Sequence, residues 1–235
     1  MDLKKKDFIE IEFTGKVKNG EIFDSNIKED IETAKLNVEP KPFVLCLGEG
    51  MFVKGVDDFL IGKEIGEYTI ELSPEKAFGN RESKLVQMIP MKVFQQHKIN
   101  PVPGVIFNFD NRMAKILTVS GGRVMVDFNN PLSGKDIVYD VKVLRKIEDT
   151  NEKIKAFNEF LFRKDFKFEI RQETEPLATS SKRGQSKGKK LILEVEKPMV
   201  KFVELFKDKF KEIFDLELEV KEVEEKGKKE DKSPQ

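Results

Sequence analysis

The sequence predicts a mixed α+β protein of three parts, and three observations support this prediction. Apolar and polar residues alternate as in strands over residues 1–79, and the same pattern returns over 131–148. A small β-rich stretch, residues 80–130, interrupts it. Residues 149–223 then follow the order helix, strand, strand, helix, strand. With 235 residues, 38% of them hydrophobic, the chain is long enough for two or three small domains.

The first part shows short strands joined by tight turns. Asn19-Gly20 is typical of a tight turn between two strands. Side chains that alternate toward one face mark at least three strands. These side chains are Phe8, Ile11, Phe13, Phe43, Leu45, Leu47, Tyr68, Ile70 and Leu72.

One short helix is predicted in this first part, over residues 53–60. Asp57 and Asp58 lie in its first turns, where the helix dipole favours acidic side chains. Gly62 follows and is expected to end the helix.

The interrupting stretch predicts a small β-rich unit. A short helix is expected over residues 91–97, and alternating segments cover 105–109 and 114–119. Gly121-Gly122 leads into another alternating segment at 124–128, which is typical of a hairpin. Because the stretch offers few large core candidates, we expect it to depend on its host for stability.

The last part combines two amphipathic helices with three strands. Asp149-Thr150 begins the first helix with capping residues, and Pro198 opens the second. The apolar residues of the helices are Ile154, Phe157, Phe160, Leu161, Met199, Phe202, Val203, Phe206, Phe210, Ile213 and Phe214. The charged residues 224–235 are expected to form a disordered tail.

Three apolar side chains of this part lie off the main stripes of the helices and would be exposed in a monomer. They are Phe162, Phe166 and Leu205. Large exposed apolar patches mark interfaces, so the pattern predicts a homodimer through residues 149–223. The alternative is that this part packs on the first part within one chain.

Composition excludes several classes of function. A single histidine, His97, and a single cysteine, Cys46, are too few for a dedicated zinc site or an internal disulfide. A catalytic triad would have to include His97, and no glycine-rich nucleotide motif occurs. We therefore expect neither a metal nor a cofactor.

Charge and hydropathy indicate where in the cell the protein is expected and which classes of partner it binds. Forty-three basic residues balance 43 acidic ones, which gives no reason to expect a nucleic-acid-binding protein. No apolar run approaches the length of about 20 residues that a spanning helix needs, and the start lacks a secretory signal. We expect a cytoplasmic protein with no membrane partner. The basic residues 180–190 predict a mobile loop, for which a weak ribosome contact is an alternative function.

Five segments occur in a fixed order along residues 7–147 and resemble one known family. They are residues 13–15 (FTG), 20–25 (GEIFDS), 41–45 (KPFVL), 47–56 (LGEGMFVKGV) and 73–79 (SPEKAFG). Together they resemble the FK506-binding proteins (FKBPs), a family of peptidyl-prolyl cis/trans isomerases. The resemblance implies an antiparallel half-barrel sheet with a short helix, formed by residues 1–79 and 131–148.

The insertion narrows the resemblance to one branch. Residues 86–90 (VQMIP) and 130–134 (NPLSG) resemble the two edges of the insert in SlyD-like members, where an insert-in-flap chaperone domain interrupts the flap. With residues 149–223 attached, the chain resembles the long archaeal members. The resemblance implies prolyl isomerisation together with chaperone action on unfolded or nascent polypeptides.

The resemblance also implies a pocket. The residues of this sequence that match pocket positions of the family are Phe13, Phe23, Asp24, Phe43, Phe52, Val53, Val56, Phe78 and Tyr139. Phe13 and Phe78 stand where the family often has Tyr, and Val56 stands where it often has Trp, which argues against tight binding of the family's macrolide drugs. From the residues alone, the rings are simply core aromatics, and Asp24 beside Ser25 is a turn-capping residue.

A set of apolar residues in the insert has two interpretations. Met88, Met91, Phe94 and Met113 either form the core of the insert or offer an adaptable surface to clients. Two rival functions remain at this point. One is a holdase with an inactive pocket, suggested by Phe78 and Val56, and the other is a ribosome-associated folding factor.

Overall fold

The structure is a computed structural model that describes residues 2–109, 112–172 and 189–223. It is mixed α+β, as the sequence predicts, and the chain divides into two compact units, residues 1–146 and 147–235. Among the described residues, no helix is long and apolar enough to cross a membrane. The predicted tail and all of the predicted basic loop except Lys189 and Lys190 lie outside the described residues.

The first unit holds two sheets and three α-helices within the described residues. Its strands are β1 (Phe8–Val17), β2 (Ile22–Ser25), β3 (Phe43–Cys46), β4 (Glu67–Leu72), β5 (Val86–Pro90), β6 (Ile106–Phe109), β7 (Arg112–Ser120), β8 (Arg123–Asp127) and β9 (Ile137–Ile147). Its helices are α1 (Lys28–Ala34), α2 (Lys54–Leu60) and α3 (Met91–Gln96). Helix α1 was not predicted, because Ile31 is its one buried residue and gives no apolar periodicity.

The larger sheet is built around β1 and β9. Its strand order is β2-β1-β9-β4, and β3 also pairs with β1. Residues 8–11 of β1 pair antiparallel with β3, whereas residues 14–16 pair antiparallel with β2. Strand β1 therefore changes partner at residues 12 and 13.

The side chain of Asn26 fills the gap at this change of partner. Its Oδ1 accepts a hydrogen bond of 2.7 Å from the backbone N–H of Phe13. Its Nδ2 donates to the backbone oxygens of Ile11, at 2.9 Å, and Lys41, at 3.1 Å. One side chain thus replaces a missing strand partner, because backbone polar groups inside a protein need a hydrogen-bond partner.

Helix α2 packs closely against the larger sheet. A Cβ atom on Gly55 would lie 2.6 Å from the Leu72 side chain and 2.6 Å from the Lys76 carbonyl oxygen, so only glycine fits there. The helix is the one predicted over residues 53–60, and Gly62 follows with a positive φ of 84°.

The smaller sheet has the order β5-β8-β7-β6 and a core of its own. Phe94 of α3 is fully buried at its centre. The other buried members are Ala114, Ile116, Val124 and Val126, and Ile89, Met91, Ile99, Phe107, Val119 and Phe128 pack against them. The hairpin predicted at Gly121-Gly122 joins β7 to β8.

The second unit has the predicted order of elements. They are α4 (Thr150–Phe162), β10 (Phe168–Gln172), β11 (Lys189–Glu196), α5 (Val200–Glu204), α6 (Lys207–Phe214) and β12 (Leu216–Val223). Strand β11 is central, antiparallel to β10 and parallel to β12. Asp149 caps α4, as predicted, by accepting a hydrogen bond from the Glu152 N–H at 2.8 Å.

The prediction of one continuous second helix is wrong, because the structure divides this helix into α5 and α6. Phe206 and Phe210 both contact the Phe162 ring, with centroids 5.3 and 6.5 Å away. The chain tightens ahead of them, because the Phe206 N–H bonds the Val203 carbonyl three residues back. Phe202, predicted on the apolar stripe, is 45% exposed, although its ring lies 5.9 Å from that of Phe162.

Three residues off the apolar stripes of the helices were predicted to be exposed, and this prediction is wrong for two of them. Phe162 and Phe166 are buried and contact each other with ring centroids 5.5 Å apart. Leu205 is 78% exposed, as predicted.

Replacing Asn26 by Ala is expected to lower the free energy of unfolding by about 2 kcal/mol, because three backbone groups lose their partner. Urea unfolding measures this loss. Asn80→Ala is the matched control: its amide bonds the exposed Glu75 carboxylate, so little change is expected. Equal stability of the two variants would show that Asn26 does not hold the partner change of β1.

Candidate active site

Six aromatic side chains from separate elements form one connected cluster in the first unit. Phe13 comes from β1, Phe23 from β2, Phe43 from β3 and Tyr139 from β9, while Phe52 and Phe78 lie in loops. The shortest distance between ring centroids is 4.7 Å, from Phe13 to Phe52. Most of the pairs are edge-to-face, the geometry that the ring quadrupoles favour.

The cluster has a buried floor and a half-exposed rim. Tyr139 is 1% exposed, and its ring lies 5.3 Å from that of Phe52 and 5.9 Å from that of Phe23. Phe13 is also buried. The other four rings, of Phe23, Phe43, Phe52 and Phe78, are each partly exposed and form the rim.

Gly15 allows the two sides of the cluster to approach. A Cβ atom at this position would lie 2.7 Å from the Tyr139 ring and 3.0 Å from the Phe23 ring. Residue 15 stands opposite Asp24 in the pairing of β1 with β2. Glycine is therefore required where Tyr139 passes over β1.

Asp24 is the acidic group beside these rings. Burial raises the pKa of Asp24, and the backbone amide of Ser25 opposes this shift to a smaller degree. Burial, with a smaller contribution from the Asp24 charge, raises the pKa of Tyr139 well above its ordinary value. The Tyr139 hydroxyl therefore stays protonated and able to donate a hydrogen bond.

Val53 and Val56, the two aliphatic residues of the predicted site, differ in how deeply they are buried. Val53 precedes α2, and no acceptor for its backbone N–H is found within the part of the chain that the structure describes. Val56 lies inside α2 with no exposed surface. Val56 therefore has no surface with which to contact a bound molecule.

A hydrogen-bonded group beneath β2 was not predicted from the sequence. The hydroxyls of Thr14 and Ser25 lie 3.0 Å apart, and Thr14 also bonds the Asp30 carboxylate. The Ser25 hydroxyl donates to the Phe13 carbonyl oxygen at 3.0 Å. These bonds hold β2, with Phe23 and Asp24, against β1. Polar residues beside Asp24 were the only signal for this group in the sequence.

The four apolar residues singled out in the insert separate into core and surface. Phe94 is fully buried and Met91 packs on the core, so Phe94 has no surface to offer a client. Met88 is 54% exposed and Met113 is 59% exposed. Other exposed apolar residues of the insert are Val102, Val105 and Ile106.

The arrangement offers shape and desolvation and little acid–base or metal chemistry. Among the described residues, no group of three His, Cys, Asp or Glu side chains is placed to hold a metal ion. His97 lies on the insert, where its ring is 5.6 Å from that of Phe109 and outside the aromatic cluster.

Comparison with known proteins identifies relatives for most of the first unit. A family model described as the insert-in-flap (IF) domain of FKBP26 matches residues 87–132. A short-type peptidyl-prolyl cis-trans isomerase from Methanocaldococcus jannaschii is 31% identical over 145 residues, which cover 60% of this chain and 92% of the relative.

Bacterial relatives agree with this archaeal one. The FKBP-type isomerase SlyD of Helicobacter pylori is 30% identical, with 51% of this chain and 67% of the relative covered. An FKBP-type 16 kDa isomerase of Escherichia coli is also 30% identical, with 44% of this chain and 73% of the relative covered. The chain therefore belongs to the FKBP-type family of peptidyl-prolyl cis/trans isomerases.

Proposed function

We propose that the aromatic cluster is the pocket in which this isomerase binds the proline ring of an unfolded polypeptide and turns the preceding peptide bond. One observation carries this proposal. Aromatic rings from β1, β2, β3 and β9 lie together with Phe52, from the segment before α2, and two of them, Phe13 and Tyr139, form a buried floor.

The reaction needs no nucleophile and no base. Rotation about a prolyl peptide bond crosses a barrier of about 18–20 kcal/mol that arises from amide resonance. In the twisted transition state this resonance is lost, so the C–N unit is less polar than in the planar ground state. A dry aromatic site therefore binds the transition state better than the ground state, which is the condition for catalysis.

The polar groups at the site orient the substrate. The Val53 N–H, without an acceptor among the described residues, can donate to a substrate carbonyl. The protonated Tyr139 hydroxyl is a second donor, and Asp24 supplies a carboxylate at the edge. Phe78 has no hydroxyl, so any donor that the family places there with Tyr is missing in this chain.

Phe43→Ala is expected to lower kcat/KM for a short prolyl peptide at least tenfold, about 1.4 kcal/mol at the transition state, because one wall of the pocket is lost. A protease-free isomerisation assay measures the effect. Phe59→Ala is the matched control, since Phe59 is equally half-buried but pairs with Tyr68 outside the cluster. Full activity of a folded Phe43→Ala variant would place the pocket elsewhere.

We propose further that the insert captures unfolded clients and delivers their prolines to the pocket. Its exposed apolar residues include Met88 and Met113, and methionine side chains adapt to varied partners. The insert leaves the larger domain between points that lie close together: the Gly134 N–H donates to the Gly79 carbonyl at 2.9 Å. Tethering there raises the effective concentration of client prolines near the pocket.

Replacing residues 81–129 by a short loop is expected to keep tetrapeptide isomerisation and to slow catalysed refolding of a proline-limited protein by about tenfold or more. The close ends of the insert make this loop feasible. A Met88→Ser, Met113→Ser double variant should show the same difference between the two substrates more weakly, and Gln95→Ser, at an exposed position of α3, serves as its control. An equal loss on both substrates would contradict this division of roles.

The same refolding assay separates the isomerase from the rival holdase. An enzyme accelerates refolding when present far below the client concentration, whereas a holdase only binds the client or slows its refolding. The ribosome-associated alternative rests on residues 180–190, and most of these lie outside the described residues. It stays a prediction, tested by salt-dependent cosedimentation with ribosomes.

We also propose that the second unit forms a homodimer. The support is an exposed apolar patch on and after α5, where Leu205 is 78% and Phe202 45% exposed. Phe162 and Phe166, which the sequence suggested as further interface residues, are buried and give no support.

Leu205→Lys is expected to convert a dimer to a monomer, because a charge would enter the apolar interface. Sedimentation equilibrium of the full chain at tens of micromolar gives the result. Lys201→Glu, at an exposed position of α5, is the control and should remain dimeric. A monomeric parent chain would rule out the proposal.

A further inference from the structure

Asp57 on helix α2 is a buried acid that the aromatic pocket does not explain. Only 2% of its surface is exposed. Its Oδ2 accepts a hydrogen bond of 3.2 Å from the Gly48 backbone N–H, and its Oδ1 is buried without a hydrogen-bond partner among the described residues. The helix-dipole explanation of this acid is therefore incomplete, because a dipole effect needs no burial.

Asp57 ties both ends of the segment that leads to the pocket. At one end, its carboxylate holds the amide of Gly48. At the other end, its own backbone N–H donates to the Val53 carbonyl at 3.2 Å. Residues 49–52 span the distance between these two bonds, and Phe52 is the last of them.

Two glycines and two local hydrogen bonds also shape the segment. Gly48 and Gly50 both adopt positive φ, 77° and 72°, which are conformations that other residues rarely adopt. Glu49 donates its N–H to the Cys46 carbonyl at 3.3 Å. Met51 is buried, and its sulfur accepts from the Cys46 N–H at 3.2 Å.

Phe52 is the pocket member whose position depends on this segment. Its ring centroid lies 4.7 Å from that of Phe13, 5.3 Å from that of Tyr139 and 5.9 Å from that of Phe43. It therefore contacts both floor residues and one rim residue, so a shift of the segment would change the width of the pocket.

Ionising Asp57 works against the stability of the fold. Burial raises the pKa of Asp57 to about 6, the amides of Gly48 and Gly50 lower it by less, and the charges of Asp58 and Glu49 add small increases. Because this pKa is higher in the folded chain than in the unfolded chain, stability falls as the pH rises from about 4 to about 6. At neutral pH the carboxylate is ionised, which lowers the free energy of unfolding; an apolar residue such as Phe or Leu at this position would not have this effect.

We propose that Asp57 is a positioning residue for the isomerase: its carboxylate fixes residues 48–52 and thereby sets Phe52 against Phe13 and Tyr139. The proposal rests on the pocket proposed above. The ionised carboxylate accepts a charge-assisted hydrogen bond from the Gly48 amide, whereas the neutral acid is a weaker acceptor and holds the loop less firmly. The charged groups near this carboxylate are Glu49 and Asp58, and the stem of Lys5 packs over Gly48.

The test compares Asp57→Asn with Asp58→Asn, an exposed acid on the same helix. Isomerisation of a prolyl tetrapeptide is measured from pH 5 to pH 8, and thermal unfolding is followed at each pH. At pH 8, Asp57→Asn should lower kcat/KM about tenfold, as a displaced pocket wall does. Its stability should lose the dependence on pH that Asp57 causes. Asp58→Asn should match the parent in both respects.

Two-dimensional NMR of the parent chain makes the test independent of whether Asp57→Asn folds. The amide resonance of Gly48 should titrate with a midpoint near the pKa of Asp57, about 6. Isomerase activity should fall as the pH is lowered through the same range. Asp24 also has a raised pKa, but it is present in every variant, so the difference between the profiles isolates Asp57.

Phe52→Ala distinguishes failure of this proposal from failure of the pocket. If Phe52→Ala loses activity while folded Asp57→Asn keeps full activity at pH 8, the positioning role is overturned and the pocket stands. If Phe52→Ala is fully active, the pocket itself is misplaced and this proposal fails with it. A Gly48 amide whose resonance does not follow the ionisation of Asp57 also overturns the positioning role.

Discussion

The change of partner along strand β1 is the constraint on which the rest of the first unit depends. One edge of β1 pairs first with β3 and then with β2, and the Asn26 side chain satisfies the backbone between them. Phe13 lies at this point. Because two partner strands meet the same edge in succession, β3 delivers Phe43 and β2 delivers Phe23 and Asp24 to one place. The aromatic cluster that we propose as the pocket is thus a consequence of how β1 is hydrogen-bonded.

The chemistry of prolyl isomerisation explains why such a site contains rings and few titratable groups. A reaction limited by amide resonance is accelerated by shape and low polarity, and both depend on rings held at fixed distances. The edge-to-face contacts around Tyr139 provide this rigidity. Departures from the family at Phe13, Phe78 and Val56 leave the apolar character of the site intact, since each replaces one apolar or aromatic residue by another.

The insert and the second unit use apolar residues in a similar way. In the insert, Phe94 and its neighbours form a closed core, while Met88 and Met113 stay exposed. In the second unit, the break between α5 and α6 lets two rings pack on Phe162 and leaves Leu205 outside. In both cases a buried aromatic centre holds a small fold together, and a few apolar residues outside it are available to partners.

The sequence by itself determined most of the element types, although not helix α1, because alternation, capping at Asp149 and the Asn19-Gly20 turn act over a few residues. Ordered motifs also pointed to the family and to the rings of the site. Only the tertiary structure decided which apolar residues are core: Phe94, Phe162 and Phe166 were ambiguous or wrongly placed, because burial depends on distant elements. The roles of Asn26 and Asp57 likewise follow from hydrogen bonds between segments that local patterns do not relate.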